Sequence, residues 1–324
     1  ESMMRAPWIS SQYSGLVTAS VYLLSVMPQN RYGSTFFLFR CGRIYIRKNI
    51  SMNIVTGAKG FIGNHFACTV DKPLEIDIDN CFELLNKFTR WDEVDTIIHM
   101  GALSSTVNKD IDAIYKYNID YSIKLFEKAI EYGIPVKYAS SASTYGRCMP
   151  TDGIINPLNY YAMSKATVDY WVQDNMHKFS HIQGFKFFNV YGPGEVHKGE
   201  QASLVSKFQW QSATGAIHPF QGSDKVLRDY IWVGDIVNVV LTNNAGSGIF
   251  DLGTGKAISI QHVADLVAQK SEAMVEEIPF PPNLVEKYQF HTQADMNWLS
   301  NYNFRTVDDY VNHPDESITS LDPY

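Results

Sequence analysis

The sequence predicts an α/β protein, a doubly wound parallel sheet with a smaller C-terminal α/β substrate lobe. Three observations carry this reading. From Met52 onward, short β-branched or aromatic runs alternate with stretches of helical periodicity. The first of these runs leads into Gly57-Ala-Lys-Gly60-Phe-Ile-Gly63, a glycine turn between a strand and a helix. Further on, Tyr161 and Lys165 share one helix face, a turn apart, after a strand that runs into Ser141.

Taken in order, the strand patterns fall at 53–56, 74–78, 96–100, 136–140, 184–189 and 248–252. Helical periodicity fills the intervals at 62–68, 81–88, 111–132, 160–179 and 235–242. After Asn189 the texture changes to Gly- and Pro-punctuated segments, and Ser259 reads as the N-cap of a helix over 260–270. The expected division is a dinucleotide-binding unit over 52–191 and 227–255, with a substrate-binding lobe from 192–226 and 256–324.

Charge separates off the first 51 residues. They hold six basic residues (Arg5, Arg31, Arg40, Arg43, Arg47, Lys48) and one acid, Glu1, hence +5; the remainder holds 21 and 33, hence −12. This segment is expected to be a non-homologous extension outside the fold. Its longest apolar run, 16–27, is too short to span a bilayer. With 45% apolar residues over 324 positions, the rest of the chain has ample material for a packed core. A net charge of −7 excludes a nucleic-acid footprint and an anionic-membrane binder, leaving small-molecule chemistry. Cys41, Cys68, Cys81 and Cys148 have neither disulfide-framework nor zinc-ligand spacing, so no metal is expected and the cytoplasm is the simplest compartment.

The glycines of the turn have distinct physical tasks. Gly57 makes the tight turn, Gly60 lets backbone approach a pyrophosphate, and Gly63 lets the helix pack close to the sheet, as in a Rossmann-like site. Phe61 and Ile62 open the helix whose free N–H groups face the phosphates. An acidic residue on the next strand normally holds the adenosine ribose; here Asp77 and Asp79 lie only 14 and 16 residues beyond Gly63. Both equally suit the start of the next helix, so the interval does not select NAD or NADP.

A tyrosine hydroxyl, with a reference pKa near 10, is a poor base, and a neighbouring ammonium favours its anion. With Ser141 as a further hydrogen-bonding group, Tyr161 and Lys165 could take a proton from a carbinol while a nicotinamide accepts hydride.

At this point the chain resembles a known family. VTGAKGFIG, HMGA (99–102), YASSASTYG, YAMSK and FNVYGP (188–193) occur in the order seen in extended short-chain dehydrogenase/reductases acting on nucleotide sugars. More narrowly it is similar to the ADP-L-glycero-D-manno-heptose 6-epimerases, through segments 102–106, 192–199, 220–223, Arg228-Asp229 and 288–295.

The resemblance implies a reaction without net redox change: C6 of the heptose is oxidised with bound NADP (NAD left open) and reduced again from the other face. It implies Tyr161 and Lys198 as the two acid/base groups, Ser141 polarising the oxygen, and Lys165 holding the nicotinamide ribose. Asn118 would support the hydrogen-bond network, Asn189 would sit near the nicotinamide, and Arg228 would clamp the pyrophosphate rather than pair with Asp229. Ser105, His197, Tyr288 and Gln293 would be sugar or nucleotide contacts. A homo-oligomer is implied as well, and His99 reads as packed scaffolding.

The chain departs from the pattern in the short stretch before Asp77, where the family carries an extra strand and loop, and after Asn301. Two other readings remain: a related NAD-dependent nucleotide-sugar 4-epimerase or dehydratase, and a non-catalytic NADP-binding regulator.

Overall fold

The computed structural model describes residues 51–282 and 288–313; the expected extension lies, apart from Ser51, outside the described residues. β1 (Met52–Thr56) is followed by α1 (Phe61–Thr69), β2 (Pro73–Ile76), α2 (Cys81–Lys87) and β3 (Val94–His99). The next helical segment comprises α3 (Ile111–Ile114), a π-helical stretch (Tyr115–Asp120) and α4 (Tyr121–Tyr132). β4 (Val136–Ser141), α5 (Tyr160–Asn175), β5 (Ile182–Phe187), β6 (Asn189–Tyr191), α6 (Leu204–Ser212) and β7 (Ala216–Ile217) come next. The described chain continues through β8 (Leu227–Trp232), α7 (Val233–Thr242), β9 (Gly248–Leu252), β10 (Ala257–Ser259), α8 (Ile260–Ser271), β11 (Met274–Val275) and α9 (Val307–Asn312).

Six parallel strands form the central sheet in the order β2-β1-β3-β4-β5-β9. Side chains alternate across it: Ile54 and Ile97 pack with Leu125, Phe126 and Val136 on one face, while Val55 and Ile98 pack with Phe66, Phe185 and Leu252 on the other. Burial on both faces explains why these strands read as continuous apolar runs. The chain moves outward from β1 to β2 and returns on the opposite side of β1 as β3. A crevice outside the carboxyl ends of β1 and β3 is where such sheets bind ligands. β2 is the outer strand on that side of the sheet.

Two segments depart from simple periodicity. The helix expected over 111–132 is interrupted by the π-helical stretch, a device common at functional sites, which buries Asn118. The strand expected over 184–189 divides at Phe188, whose N–H donates to Leu252 O at 3.1 Å. Beyond it β6 leaves the central sheet and pairs in parallel with β8, which also pairs antiparallel with β10. Alternation in sequence marks extended backbone but not which sheet will pair with it.

A second core gathers Val205, Phe208, Ile217, Val263, Val267 and Val307 from α6, β7, α8 and α9. Ser259 caps α8 as expected, accepting from the His262 N–H at 3.0 Å, an interaction typically worth about 1 kcal/mol. Among the described residues, no helix is long and apolar enough to cross a membrane.

Gly63 fixes how close α1 lies to β1. A Cβ added there would stand 2.0 Å from the Gly57 carbonyl oxygen. Gly63→Ala is therefore expected to cost about 1–3 kcal/mol in urea unfolding, the usual penalty of overpacking. A variant as stable as the parent would show that this contact does not set the packing.

Candidate active site

The glycine turn brings β1, β2 and β3 together at their carboxyl ends. Gly57 has a φ of +70°, and a Cβ on it would meet Gly101 Cα, just beyond β3, at 2.6 Å. Its N–H donates to Ile76 O at the end of β2, at 2.8 Å. Gly60, by contrast, is crowded only by the Gly57 carbonyl oxygen, at 3.2 Å from an added Cβ. α1 starts at Phe61 without a side-chain cap, and Ile62 and Gly63 complete its first turn. Asp77 lies against this turn, with Oδ2 accepting from the Lys59 N–H at 2.9 Å, while Asp79 pairs with Lys59 Nζ at 2.7 Å. The turn, the uncapped helix start and the adjacent carboxylate fit the pyrophosphate and ribose of a dinucleotide.

The second group of residues converges from β4 and α5. Asn159 caps α5 by accepting from the Ala162 N–H at 2.9 Å, which fixes Tyr161 in the first turn and Lys165 one turn later. Lys165 is buried and donates from Nζ to Ala139 O of β4 at 2.7 Å; the same nitrogen lies 6.0 Å from the centre of the Tyr161 ring. Burial pushes the Lys165 ammonium down to about 8, with Asp169 pulling the other way. Ser141 ends β4 and accepts at Oγ from the Ser143 N–H and hydroxyl, at 3.2 and 2.8 Å.

The Tyr161 phenol departs from the expectation that a neighbouring ammonium would lower it. Burial raises it above its ordinary value, a side-chain hydrogen bond with Ser141 works against that rise, and the charge of Asp169 adds to it. Desolvation of the phenolate is the largest effect.

Asn118 ties the network together. Its Oδ1 accepts from the Leu103 N–H at 2.7 Å, and its Nδ2 donates to Leu103 O at 3.1 Å and to Ser164 Oγ at 3.0 Å. His99 is held between Thr56 Oγ1, at 2.6 Å, and Ser122 Oγ, at 2.7 Å; burial pushes it down to about 3, so it is neutral scaffolding.

Lys198 is held by a different set of residues. Its Nζ is 4.8 Å from the centre of the Phe61 ring, which puts it beside the start of α1, and donates to Glu195 Oε2 at 2.9 Å. Glu195 is buried and also accepts from the Ser203 N–H, Ser203 Oγ and Ser206 Oγ, at 2.7, 2.7 and 2.9 Å. Among the described residues no hydrogen bond joins Lys198 to Tyr161.

The remaining sequence candidates lie on several separate elements. Arg228 is buried, with its guanidinium 4.9 Å from the centre of the Tyr288 ring and donating to the carbonyls of Leu227 and Gln289. Asp229 instead accepts from Thr254, Gly255 and Ala294, because neighbours on a strand face opposite ways. Asn189 Oδ1 accepts from Thr292 Oγ1 at 3.2 Å, and Gln293 Nε2 donates to Gly255 O at 2.9 Å. Ser105 is half-buried and His197 exposed.

Residues not singled out by the sequence reading hold much of this in place. Gln289 Nε2 donates to Gly146 O at 2.7 Å, joining the lobe to the turn after Ser141. Glu195 anchors Lys198. Asp169, one turn beyond Lys165, pairs with Lys186 at 2.9 Å. The i+4 spacing from Lys165 was the available signal for Asp169; Glu195 had none beyond its place in a Pro-Gly-Glu segment.

A model of the NAD dependent epimerase/dehydratase family matches residues 53–246. Among solved structures, the ADP-L-glycero-D-manno-heptose-6-epimerase of Helicobacter pylori is 20% identical, with a TM-score of 0.66 over 81% of this chain and 94% of that one. A UDP-N-acetylglucosamine 4-epimerase of Methanobrevibacter ruminantium, in complex with UDP-N-acetylmuramic acid, is 20% identical, with a TM-score of 0.66 over 82% and 98%. A UDP-glucose 4-epimerase of Thermus thermophilus, in complex with NAD, is 21% identical, with a TM-score of 0.64 over 81% and 98%. The matched region contains the glycine turn, Ser141, Tyr161 and Lys165 and spans more than half of the sequence: the chain belongs to the NAD-dependent epimerase/dehydratase family.

Proposed function

We propose that this protein is a nucleotide-sugar epimerase that inverts C6 of ADP-D-glycero-D-manno-heptose to the L-glycero epimer, a precursor of the lipopolysaccharide core. What supports the reading is the presence of two candidate proton-transfer groups. Tyr161 with Ser141 and Lys165 forms one, and Lys198, held by Glu195 beside Phe61, forms the other. Inverting a carbinol centre needs an acid/base for each epimer's hydroxyl.

A bound dinucleotide would supply the hydride acceptor and donor, its pyrophosphate held at Gly57, Gly60 and Gly63 with Phe61 and Ile62, and its ribose near Asp77 and Lys165. Tyr161 takes the proton of one epimer's hydroxyl, with Ser141 donating to the reacting oxygen. Lys165, as an ammonium, favours the phenolate across one helical turn. Lys198 delivers a proton at the opposite face, and the Glu195 carboxylate keeps that ammonium oriented. Asn118 and Asn189 support this end of the cofactor site. Ser105, His197, Arg228, Tyr288 and Gln293 are assigned to the nucleotide-sugar, Arg228 having further N–H donors for a phosphate beyond the carbonyls it already serves. The protein is proposed to act as a homo-oligomer.

A UDP-sugar 4-epimerase is the second reading, favoured by relatives of that activity with the same identity and TM-score as the heptose enzyme. The resemblance implies NADP. Asp77 and Asp79 beside the turn instead favour the ribose hydroxyls of NAD over a 2′-phosphate. Denaturing the purified protein and identifying the released nucleotide is expected to give a nicotinamide dinucleotide, NAD by this charge argument; release of an unrelated nucleotide would overturn the cofactor assignment.

Incubation with ADP-D-glycero-D-manno-heptose is expected to yield the C6 epimer. Tyr161→Phe should slow turnover at least about a hundredfold, the lower range of general-base effects, and Lys198→Met should do likewise. Conversion of UDP-glucose but not of the heptose substrate would decide for the second reading.

The pH profile has a defined sign. The productive form pairs a Tyr161 phenolate with a Lys165 ammonium, yet the lysine titrates at about 8 and the phenol above its ordinary value. That form is then a minor one, rising with pH until Lys165 loses its proton and constant beyond. kcat/KM should therefore climb to about pH 8 and level off. Lys165→Arg, which keeps its proton, should go on rising; a variant profile that still levels at the same pH would refute the assignment.

A further inference from the structure

Asp169 is buried on the same face of α5 as Tyr161 and Lys165, eight and four residues after them. Its Oδ1 accepts from Tyr138 Oη at 3.0 Å and its Oδ2 from Ser140 Oγ at 2.7 Å, both from β4. Lys186 of β5, the register partner of Ser140, brings its buried ammonium to 2.9 Å from the same carboxylate. The ammonium also donates to Thr144 Oγ1 at 2.8 Å, and Thr144 Oγ1 donates to Ser141 O at 2.9 Å. One ion pair thus joins β4, β5, α5 and the turn after Ser141, the elements that carry the candidate acid/base set.

A buried ion pair is costly, because removing two charges from water opposes the attraction between them. Stability alone gives no reason to keep one here. Asp169 opposes ionisation of the Tyr161 phenol and supports the charge of Lys165, so its own charge must be balanced for the two to work together. We propose that Asp169 and Lys186 are a positioning pair for the Tyr161–Lys165 set, in which Lys186 neutralises Asp169 so that the phenolate forms. This rests on the catalytic reading of Tyr161.

The charged and titratable neighbours on every side are compatible with that role. Tyr138 on β4 donates to Asp169 and stays protonated, burial holding its phenol well above the ordinary range. The Tyr145 ring lies 4.8 Å from Lys186 Nζ, and its hydroxyl donates to Asp251 of β9 at 2.6 Å. Asp251 also accepts from the Asp295 N–H at 2.9 Å, and Asp295 is a further negative group on that side. His99 faces Lys165 from β3 and is neutral. Among the described residues, Lys186 is the cation ion-paired with Asp169.

The test compares Lys186→Met, Asp169→Asn, the double variant and Lys186→Arg. Each is made in the parent and in Tyr161→Phe, so that the tyrosinate absorbance difference reports residue 161 without any substrate. Lys186→Met is expected to move the phenol titration up by about half a pH unit, and to lower kcat/KM below pH 8 about threefold more than it alters the plateau. Asp169→Asn should move it down by a similar amount. The double variant should return close to the parent, and Lys186→Arg should leave the titration unchanged.

A titration that stays fixed in Asp169→Asn, or one that stays displaced in the double variant, with only melting temperature or kcat reduced, would overturn the proposal; these two variants keep it falsifiable if Lys186→Met does not fold. Because the absorbance titration needs no sugar, expected shifts without turnover of either nucleotide-sugar would retain the pair and reject the substrate assignment instead.

Discussion

Desolvation of Lys165 is the constraint from which the site follows. A buried ammonium is tolerated only where hydrogen bonds and an opposite charge replace water, at an effective cost of several kcal/mol otherwise. Ala139 O and Asp169 are those replacements, and both are fixed by the contact of α5 with β4. The same dryness raises the Tyr161 phenol, so the burial that positions this candidate base also opposes its ionisation. Catalytic groups commonly sit in such opposed environments, where small changes of charge have large effects on protonation.

A second constraint is the contact of glycine with glycine where β1 and β3 end. Gly57 and Gly101 abut, and Gly63 lets α1 rest on the Gly57 carbonyl. A Cβ at Gly57 or Gly63 would overlap backbone atoms, so these glycines set how closely β1, the end of β3 and α1 approach. β2 being the outer strand, Asp77 and Asp79 stand at that rim, and Lys59 of the turn already engages both. The charge at that rim is therefore set by two short loops, the glycine turn and the one after β2.

Much of the fold was legible because its signals are local. The β-branched runs, the glycine turn, the Ser259 cap and the Tyr161–Lys165 spacing each depend on residues within a few positions of one another. The strand over 248–252 and the helix start at Ile260 fall where periodicity put them. The division of 184–189 between β5 and β6 was not legible, since pairing with β9 or β8 is chosen by elements some sixty and forty residues away. Nor was the π-helical stretch that turns Asn118 inward, which depends on the loop at Leu103 and on Ser164.

Within the site, the sequence by itself named the candidates: the three glycines, Ser141, Tyr161 and Lys165 by their pattern, and Lys198 by family resemblance. For the glycines and the Tyr161–Lys165 pair spacing suffices, because a turn or a helix face is built by neighbours. Only the tertiary structure decided their electrostatics. Glu195 reaches Lys198, Lys186 reaches Asp169, and Gln289 reaches the turn after Ser141. Folding also buries the phenol enough to reverse the direction expected from its ammonium neighbour. The physical reason is that proton affinity is set by every charge and every lost water around a group, and those are assembled from strands and helices distant in sequence.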